Sequence, residues 1–307
     1  FRRVLFRSTP FEFAPRDGYG VAIDLGTTTV VVQLLDLRTG QVLAVRSALN
    51  DQARHGADIM SRIGFAIDGG QPTLERLVRT QLGALIAELV DQASPAPCPR
   101  LDDIVIVGNS AMHHLFCGVP AEPLSHHPFE PADGGLKSFV ASELGWSLPG
   151  EPRVRFLPCL GNFVGSDLLA GVLATGLNQS RGPVALVDLG TNGEIVVGNA
   201  ERMLCASTAA GPAFEGARIA AGMRAASGAI SEVRIRDGTL ECQTLGNAPA
   251  RGICGSGLVS AVAACLDLGW VLPNGRMHTN SPIPLSGRIH LQPCDVRELQ
   301  LAKGAIT

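Results

Sequence analysis

The sequence predicts an α/β protein built as two similar lobes by internal duplication, and three observations support this fold class. The stretch VAIDLGTTTVVVQLLDLRTG begins at Val21, and a near echo, ALVDLGTNGEIVVGNAERML, begins at Ala185. Each copy places Asp-Leu-Gly-Thr between two apolar runs, and helical patterns follow each copy. The length of 307 residues suggests about two domains. We therefore expect two lobes that face each other, with a cleft between them as the favoured ligand site.

The composition excludes several classes of function. A hydrophobic content of 46% and a charged content of 17% are typical of an ordinary globular protein. The net charge of −3 argues against a nucleic-acid partner, and no apolar run approaches the ~20 residues that cross a membrane. The eight cysteines contain no C-x-x-C pair, which indicates reduced thiols in a cytoplasmic protein and no metal or iron–sulfur site within this chain. The pairs His113–His114 and His126–His127 do not form a convincing ligand set either.

Breaks in pattern and composition predict three segments. Residues 1–17 are interpreted as a fragment edge or foreign sequence and are excluded from fold reasoning. Residues 18–182 form the N-terminal lobe, with an irregular insertion near 120–152 that is rich in Pro, Gly and His. Residues 183–307 form the C-terminal lobe, which we expect to be truncated because its last helical pattern has no capping residue after it.

Three strands rich in β-branched residues open each lobe, separated by turn residues. The elements predicted for the first lobe are strands at 21–24, 29–35 and 42–48, an amphipathic helix at 74–90, a strand in DIVIVGN, a helix in SAMHHLFCG, a strand in VRFLPCLGNF and a helix in VGSDLLAGVLATGL. Those predicted for the second lobe are strands at 184–188, 194–198 and 203–207, a helix in AFEGARIAAGM, a hairpin in AISEVRIRDGTLECQTL, a helix in GICGSGLVSAVAACLDLGW, a strand at 289–291 and a final helix.

The Asp-Leu-Gly-Thr turns carry groups that suit a polyphosphate. Gly26 and Gly190 permit backbone angles that a side chain would forbid, so that N–H groups can converge on an anion. Hydroxyl and amide donors follow the two glycines, and Asp24 and Asp188 end the preceding strands. Mg²⁺ between a carboxylate and a phosphate turns their repulsion into coordination. The alternative is that each copy is only a hairpin turn, since Asp and Gly are common turn residues.

A second glycine-rich element opens a helix in the C-terminal half. Gly255 and Gly257 flank Ser256 at a point where backbone can approach a flat ligand closely. The alternative is tight packing of the helix. No G-x-G-x-x-G spacing and no G-x-x-x-x-G-K-[ST] motif occurs, so the site is neither a dinucleotide fold nor a P-loop.

These motifs, in this order, resemble a known superfamily. Asp24–Thr29, Asp188–Glu194 and Gly252–Gly257 resemble the two phosphate loops and the adenosine loop of the ASKHA (actin/Hsp70/sugar-kinase) ATPases, which implies a duplicated ribonuclease-H-like fold with an interlobe nucleotide cleft. The segments ALNDQARHGADIMSRI, VGNSAMHHLF, ASTAAGPAFEGARI, GMRAASGAI, GICGSGLVSAV and VRELQLAKGAI look like the ATPase domain of reductive activators of corrinoid proteins. The resemblance covers residues 20–307.

The resemblance implies a function for the chain. Such activators use ATP and Mg²⁺ to drive the reduction of Co(II) to Co(I) in a corrinoid protein partner, and they are expected to be cytoplasmic homodimers. The electron enters through a [2Fe–2S] cluster in a ferredoxin-like domain, usually N-terminal. No cysteine precedes Cys98 here, so we expect that domain to be missing and this chain to be an ATPase without reductase activity of its own.

The resemblance also implies roles for individual residues. Asp24, Asp188 and Glu194 are the expected catalytic residues, with Asp24 and Asp188 holding Mg²⁺ through water. The residues expected to bind the nucleotide are Gly26, Thr27, Thr28, Thr29, Gly190, Thr191, Asn192, Gly193, Gly211, Glu215, Gly216, Gly255, Ser256 and Gly257. Gly211, Glu215 and Gly216 are assigned to the ribose, and Asp167 is expected near the site.

Several alternatives stay open at this point. Glu194 could be a solvent-exposed carboxylate at a strand edge, and the ribose residues could form a plain helix-start turn. Asn109 and Ser110 could face the cleft or cap a helix. The whole chain could be a small-molecule kinase of the same superfamily, or a non-catalytic nucleotide-sensing protein of the actin-like type.

Overall fold

The computed structural model describes residues 14–93, 100–278 and 281–307, and the chain folds into two compact units. The first unit comprises the chain up to Leu186 together with Val196–Cys205, and the second comprises Val187–Ile195 and Ala206–Thr307. Within the described ranges, no helix combines the length and the apolar character that crossing a membrane requires. Cys98 lies outside the described residues, as do residues 1–13.

Among the described residues before residue 183, the structure contains six strands and four α-helices. The strands are β1 (Tyr19–Leu25), β2 (Thr29–Asp36), β3 (Val42–Leu49), β4 (Leu101–Val107), β5 (Lys137–Val140) and β6 (Arg153–Phe156). The helices are α1 (Ile59–Phe65), α2 (Gln71–Ala93), α3 (Ser110–Cys117) and α4 (Ser166–Thr175). Short 3₁₀ helices span Asp51–His55, Glu122–Ser125, Ala141–Leu144 and Leu177–Gln179, and a π-helical turn spans Ala66–Gly70.

These strands form one six-stranded sheet in the order β3-β2-β1-β4-β6-β5. The β1–β2–β3 meander is antiparallel, whereas β4 runs parallel to β1, with Asp24 opposite Val107. Alternate strand residues such as Ile23, Val32 and Ile106 are buried in a core that also contains the apolar face of α2 and most of α3. The sheet therefore brings the carboxyl ends of β1 and β4 to one edge, the usual position of ligand sites in α/β folds.

The turns at this edge are tightly packed. An added Cβ at Gly108 would lie 2.6 Å from the Leu25 carbonyl oxygen, and one at Gly165 would lie 2.0 Å from the Gly108 carbonyl oxygen. The start of α4 is held close to the turn after β4, because the backbone N–H of Ser166 donates to Gly108 O at 2.9 Å. The segment after β4 is thus held between the end of β1 and the start of α4.

The opposite end of the sheet carries an ion cluster. Asp103 of β4 is 5% exposed and accepts from Arg153 and Arg155 of β6 at 3.2 and 3.3 Å. Arg16 pairs with its other oxygen at 2.8 Å and donates its backbone N–H to Leu37 O. Although burial favours the neutral acid, the hydrogen bonds from Arg16 and Arg153 lower the pKa of Asp103 overall. Arg16, which belongs to the segment set aside above, therefore contacts the sheet.

Residues 183–278 and 281–307, which the structure describes, contain eight strands and two α-helices. The strands are β7 (Val184–Leu189), β8 (Asn192–Gly198), β9 (Met203–Ala209), β10 (Ala229–Arg236), β11 (Thr239–Thr244), β12 (Gly252–Ile253), β13 (Ile283–Ser286) and β14 (Ile289–Leu291). The helices are α5 (Gly255–Asp267) and α6 (Pro293–Ile306), and 3₁₀ helices span Pro212–Glu215 and Leu245–Asn247. The sheets have the orders β7-β8-β9, β11-β10-β12 and β13-β14.

The strands and long helices predicted from the sequence are confirmed, whereas the short strands β12 and β13 were missed. The helix predicted in AFEGARIAAGM is wrong, because only Pro212–Glu215 is helical and Gly216 then takes a left-handed φ of 77°. The irregular insertion contains β5, which pairs with β6 and completes the sheet. Helix α1 was missed. Its start is marked by a capping box between Asp58 and Ser61.

The close contact at Gly165 yields a stability prediction. Gly165→Ala places a methyl group against backbone atoms that cannot move aside, so we expect the free energy of unfolding of the first unit to fall by about 1–3 kcal/mol. Gly64 in α1 has no atom within 4 Å of an added Cβ, so Gly64→Ala should be neutral or stabilising. Thermal melting of both variants tests this, and equal melting temperatures would contradict it.

Candidate functional site

The first Asp-Leu-Gly-Thr turn joins β1 to β2. Gly26 N–H donates to Thr29 O at 3.0 Å, and an added Cβ at Gly26 would lie 2.5 Å from the same oxygen. Neither Gly26 nor Gly190 has a left-handed φ, so the expectation that both use angles forbidden to side chains is wrong. Lack of space, not an unusual backbone angle, requires glycine at Gly26. Asp24 is exposed at the end of β1.

Asn50, which directly follows β3, holds the carbonyl groups of this turn. Its side-chain amide donates to Gly26 O and its backbone N–H donates to Thr28 O, both at 2.9 Å. The Asn50 side chain is fully buried, and its Oδ1 accepts from Gln52 N–H. Sequence reasoning missed Asn50 as a site residue. The signal was present, because the residue lies in the ALNDQARHGAD segment that carries the family resemblance.

Asn109 holds the same turn from the other side. Its Nδ2 donates to Thr27 Oγ1 at 2.9 Å, and its Oδ1 caps α3 by accepting from Met112 N–H. Asn109 therefore caps α3 and also contacts the turn, so the capping alternative is confirmed for this residue, whereas a position facing a cleft stays a prediction. Ser110 instead donates its hydroxyl to Gly161 O at 2.9 Å.

The remaining polar groups near this edge are placed as follows. Asp167 lies in the first turn of α4 and accepts from Leu168 N–H at 2.8 Å. His113 and His114 of α3 are fully buried, and each ring contacts one backbone oxygen, Gly135 O and Ser110 O respectively. Burial lowers the pKa of His113 to about 4, so this ring is neutral at physiological pH.

The second Asp-Leu-Gly-Thr turn joins β7 to β8 and repeats part of the first design. Gly190 N–H donates to Asn192 O at 3.1 Å, and Thr191 O accepts from Gly211 N–H at 2.9 Å. Gly211 follows the third strand of this meander, as Asn50 follows the third strand of the other. Gly193 is buried, and an added Cβ there would lie 2.7 Å from Ile306 Cγ1, so its requirement for glycine is packing against α6.

Glu215 contacts this second turn, which the sequence did not predict. Its Oε1 accepts from Thr191 N–H at 3.2 Å and also from the Thr191 hydroxyl, while its buried Oε2 has no hydrogen-bond partner among the described residues. Gly211 and Gly216 flank the Pro212–Glu215 turn. The ribose assignment of this group stays a prediction.

Two further carboxylates lie in the second meander. Glu194 is 8% exposed and accepts from Ser207 Oγ at 3.0 Å, so the alternative of a solvent-exposed carboxylate is wrong. Asp188 has an exposed surface, yet the protein around its carboxyl group partly desolvates it and raises its pKa. A hydrogen bond from Leu189 N–H has a smaller, opposite effect.

The glycines that open α5 are explained by packing. An added Cβ at Gly255 would lie 1.7 Å from Phe214 O, and one at Gly257 would lie 1.9 Å from Ile230 O. Both glycines are buried, whereas Ser256 is exposed and donates its hydroxyl to Ser231 O at 2.9 Å. Tight packing therefore accounts for the G-x-G spacing, and contact between adenine and this turn stays a prediction.

Comparison with family models identifies the class of protein and then the family. Residues 183–307 match the model described as the C-terminal domain of RACo, the ASKHA domain. This match assigns the second half of the chain to the ASKHA class. Residues 19–180 match the model of the RACo middle region, and the chain therefore belongs to the RACo family.

Named relatives agree with this assignment. The chain is 35% identical over 321 residues to the corrinoid activation enzyme RamQ of Eubacterium limosum, with coverage of 94% of this chain and 53% of the relative. It is 27% identical to a [Co(II) methylated amine-specific corrinoid protein] reductase of Methanosarcina barkeri, covering 94% and 58%. A solved reductive activator for corrinoid, iron–sulfur protein matches with a TM-score of 0.82 and 34% identity, covering 95% and 50%. The chain thus spans about half the length of these relatives.

The role of Asn50 can be tested by truncation. Asn50→Ala leaves the part-buried Gly26 carbonyl without its donor, so we expect a loss of about 1–3 kcal/mol in unfolding free energy and weaker nucleotide binding. Asn162 makes a comparable bond to Pro128 O in an exposed position. Asn162→Ala should change both quantities little. Calorimetric melting and nucleotide titration measure the effects, and equal behaviour of the two variants would remove the assigned role.

The two turn glycines are expected to respond differently to the same substitution. Gly26→Ala forces the turn open and should cost about 1–3 kcal/mol. At Gly190 the added Cβ would lie 3.4 Å from Asn192 O, an ordinary contact, so Gly190→Ala should cost less than about 1 kcal/mol. Melting temperatures of the two variants decide the matter, and a larger loss at Gly190 would refute it.

Proposed function

We propose that this chain binds and hydrolyses Mg²⁺-ATP, and that in the complete protein this reaction drives the reduction of Co(II) to Co(I) in a corrinoid protein. One observation carries the proposal. Each Asp-Leu-Gly-Thr turn accepts a backbone hydrogen bond from a residue just after the third strand of its meander, Asn50 N–H to Thr28 O and Gly211 N–H to Thr191 O. Simple hairpin turns do not require this second anchor.

The first turn fits a phosphate. In a trans peptide the N–H points opposite to the C=O, so holding Gly26 O against Asn50 directs the Thr27 N–H away from Asn50. Thr27 Oγ1 is fixed by Asn109, which prevents the side chain from swinging away. Asp24 is exposed at the same strand end. Fixed donors beside a carboxylate suit a phosphate that arrives with Mg²⁺.

The second turn supplies the complementary groups. Asp188, like Asp24 in the first turn, would contact Mg²⁺ through water, and Asn192 would contact the phosphates. The desolvation that raises the pKa of Asp188 makes its carboxylate a stronger attractor of a cation. Glu194, held by Ser207, would orient the attacking water.

The proposed reaction is phosphoryl transfer to water, which needs positioning and charge neutralisation more than covalent catalysis. Mg²⁺ supplies charge neutralisation on the phosphate oxygens when bound. The protein contributes the Thr27 N–H of the turn whose carbonyl groups Asn50 holds, the Thr27 hydroxyl held by Asn109, and a buried carboxylate at Glu194. These groups are ordered before the reaction, so they need no reorganisation during it.

The names of the relatives support a corrinoid protein as the partner. RamQ is named a corrinoid activation enzyme, and the Methanosarcina barkeri relative is named a reductase of a Co(II) corrinoid protein. We propose that a corrinoid protein is the partner here, that the electron comes from a [2Fe–2S] cluster in a ferredoxin-like domain, and that the protein acts as a homodimer. ATP binding would favour the arrangement in which electron donor and cobalt are close.

The proposed function is tested in two assays. ATP turnover by the chain is measured as phosphate release with and without Mg²⁺. Reduction of a corrinoid protein is followed by the change in cobalt absorption from Co(II) to Co(I), with a chemical electron donor and with or without ATP. Phosphate release without any effect on cobalt would leave an ATPase but remove the corrinoid assignment.

Asp188 offers a prediction that separates catalysis from stability. Asp188→Asn should lower ATP turnover by about a hundredfold or more, since a charged group at the reacting phosphates is lost. A raised pKa means that the folded state binds the proton more tightly, so wild-type stability falls as pH rises from 3.8 through the folded pKa. The variant should therefore melt at or above the wild-type temperature at pH 7. A lower melting temperature together with full turnover would contradict both roles.

A further inference from the structure

The two phosphate turns are held by groups of opposite character. We call the residue that holds each turn its clamp. The clamp of the first turn is Asn50, which lies 24 residues downstream of Gly26 and has a neutral amide side chain. Asn50 donates to the carbonyl oxygens of Gly26 and Thr28. In the second turn the clamp is a carboxylate: Glu215 accepts from Thr191, also at a separation of 24 residues. The first clamp contacts carbonyl oxygens and does not occupy the N–H groups of its turn, whereas the second places a negative charge on the N–H and O–H of Thr191.

A carboxylate on these donors changes what the second turn can bind. Phosphate oxygens would compete with the Glu215 carboxylate for the N–H and hydroxyl of Thr191, because both are anionic hydrogen-bond acceptors. An unaccompanied polyphosphate would meet a like charge there, which disfavours binding. A polyphosphate that carries a cation brings the opposite charge with it.

The second oxygen of Glu215 adds independent support. Oε2 is buried and has no hydrogen-bond partner among the described residues. A buried acceptor left in this condition is unfavourable unless a donor or a cation satisfies it. The water molecules that Mg²⁺ retains when it binds phosphates are such donors.

We propose that Glu215 is a specificity-determining residue that makes this site select the Mg²⁺-complexed nucleotide over the free nucleotide. The inference rests on the proposed ATP binding and adds a residue-level reason for its dependence on metal. Free ATP is disfavoured by the charge on Oε1, and Mg²⁺-ATP is favoured because its hydrated cation satisfies Oε2.

The test compares two dissociation constants in each protein, for ATP with excess Mg²⁺ and for ATP with EDTA. Glu215→Gln keeps an oxygen that can accept from Thr191, so the turn remains held while the charge is removed. In the wild type, Mg²⁺-ATP should bind at least about tenfold more tightly than free ATP, as expected for one charge interaction near a protein surface. In Glu215→Gln the ratio should fall below about threefold, mainly because free ATP binds more tightly.

Glu241→Gln is the matched control, because it removes one negative charge from an exposed position in the same unit and should leave the ratio unchanged. Circular dichroism verifies that each variant is folded, and Glu215→Ala gives a second measurement if the glutamine variant is not. An unchanged ratio in a folded Glu215 variant, or a fall equal to that in the control, would overturn the inference. If the wild type binds ATP in neither form, the proposed function itself fails.

Discussion

The first Asp-Leu-Gly-Thr turn depends on the hydrogen bonds that the fully buried Asn50 makes to it. The Asn50 side-chain amide donates to the carbonyl of Gly26, and the Asn50 backbone N–H donates to the carbonyl of Thr28. The Asn50 side-chain oxygen caps the following 3₁₀ helix by accepting from Gln52 N–H. Buried carbonyls must be paired, so the shape of the turn is fixed as soon as β3 ends at the right register. Asn109 adds the second constraint by joining Thr27 to the start of α3. The turn is thereby tied to two different parts of the sheet edge.

The second turn shows how a duplicated design can diverge while its backbone anchor is kept. Gly211 repeats the backbone bond to the turn, but the side-chain clamp has become Glu215. A neutral clamp and a charged clamp give two turns of the same sequence different electrostatic properties. The first turn is held through its carbonyl oxygens, whereas the second is held through the N–H and O–H of Thr191 by a carboxylate.

Membership in the RACo family gives this chemistry its context. About half of the length of the named relatives lies outside the compared region. In the proposed function, the residues described here carry the nucleotide-dependent step. Lobe closure on a ligand is a common way to transmit the effect of such a step to an external surface.

The sequence by itself determined the duplication, most strands and long helices, and the turns in which a phosphate site would be built, because these depend on local periodicity and on repeated motifs. Only the tertiary structure decided which side chains hold the turns. Asn50 and Glu215 act on residues 24 positions away, and no local pattern encodes that contact. The glycines Gly255 and Gly257 carried a ligand-binding pattern, yet their carbonyl neighbours Phe214 and Ile230 show that close packing requires them. Sequence spacing specifies where a chain can turn, and the distance to atoms from other segments specifies why a given residue must be there.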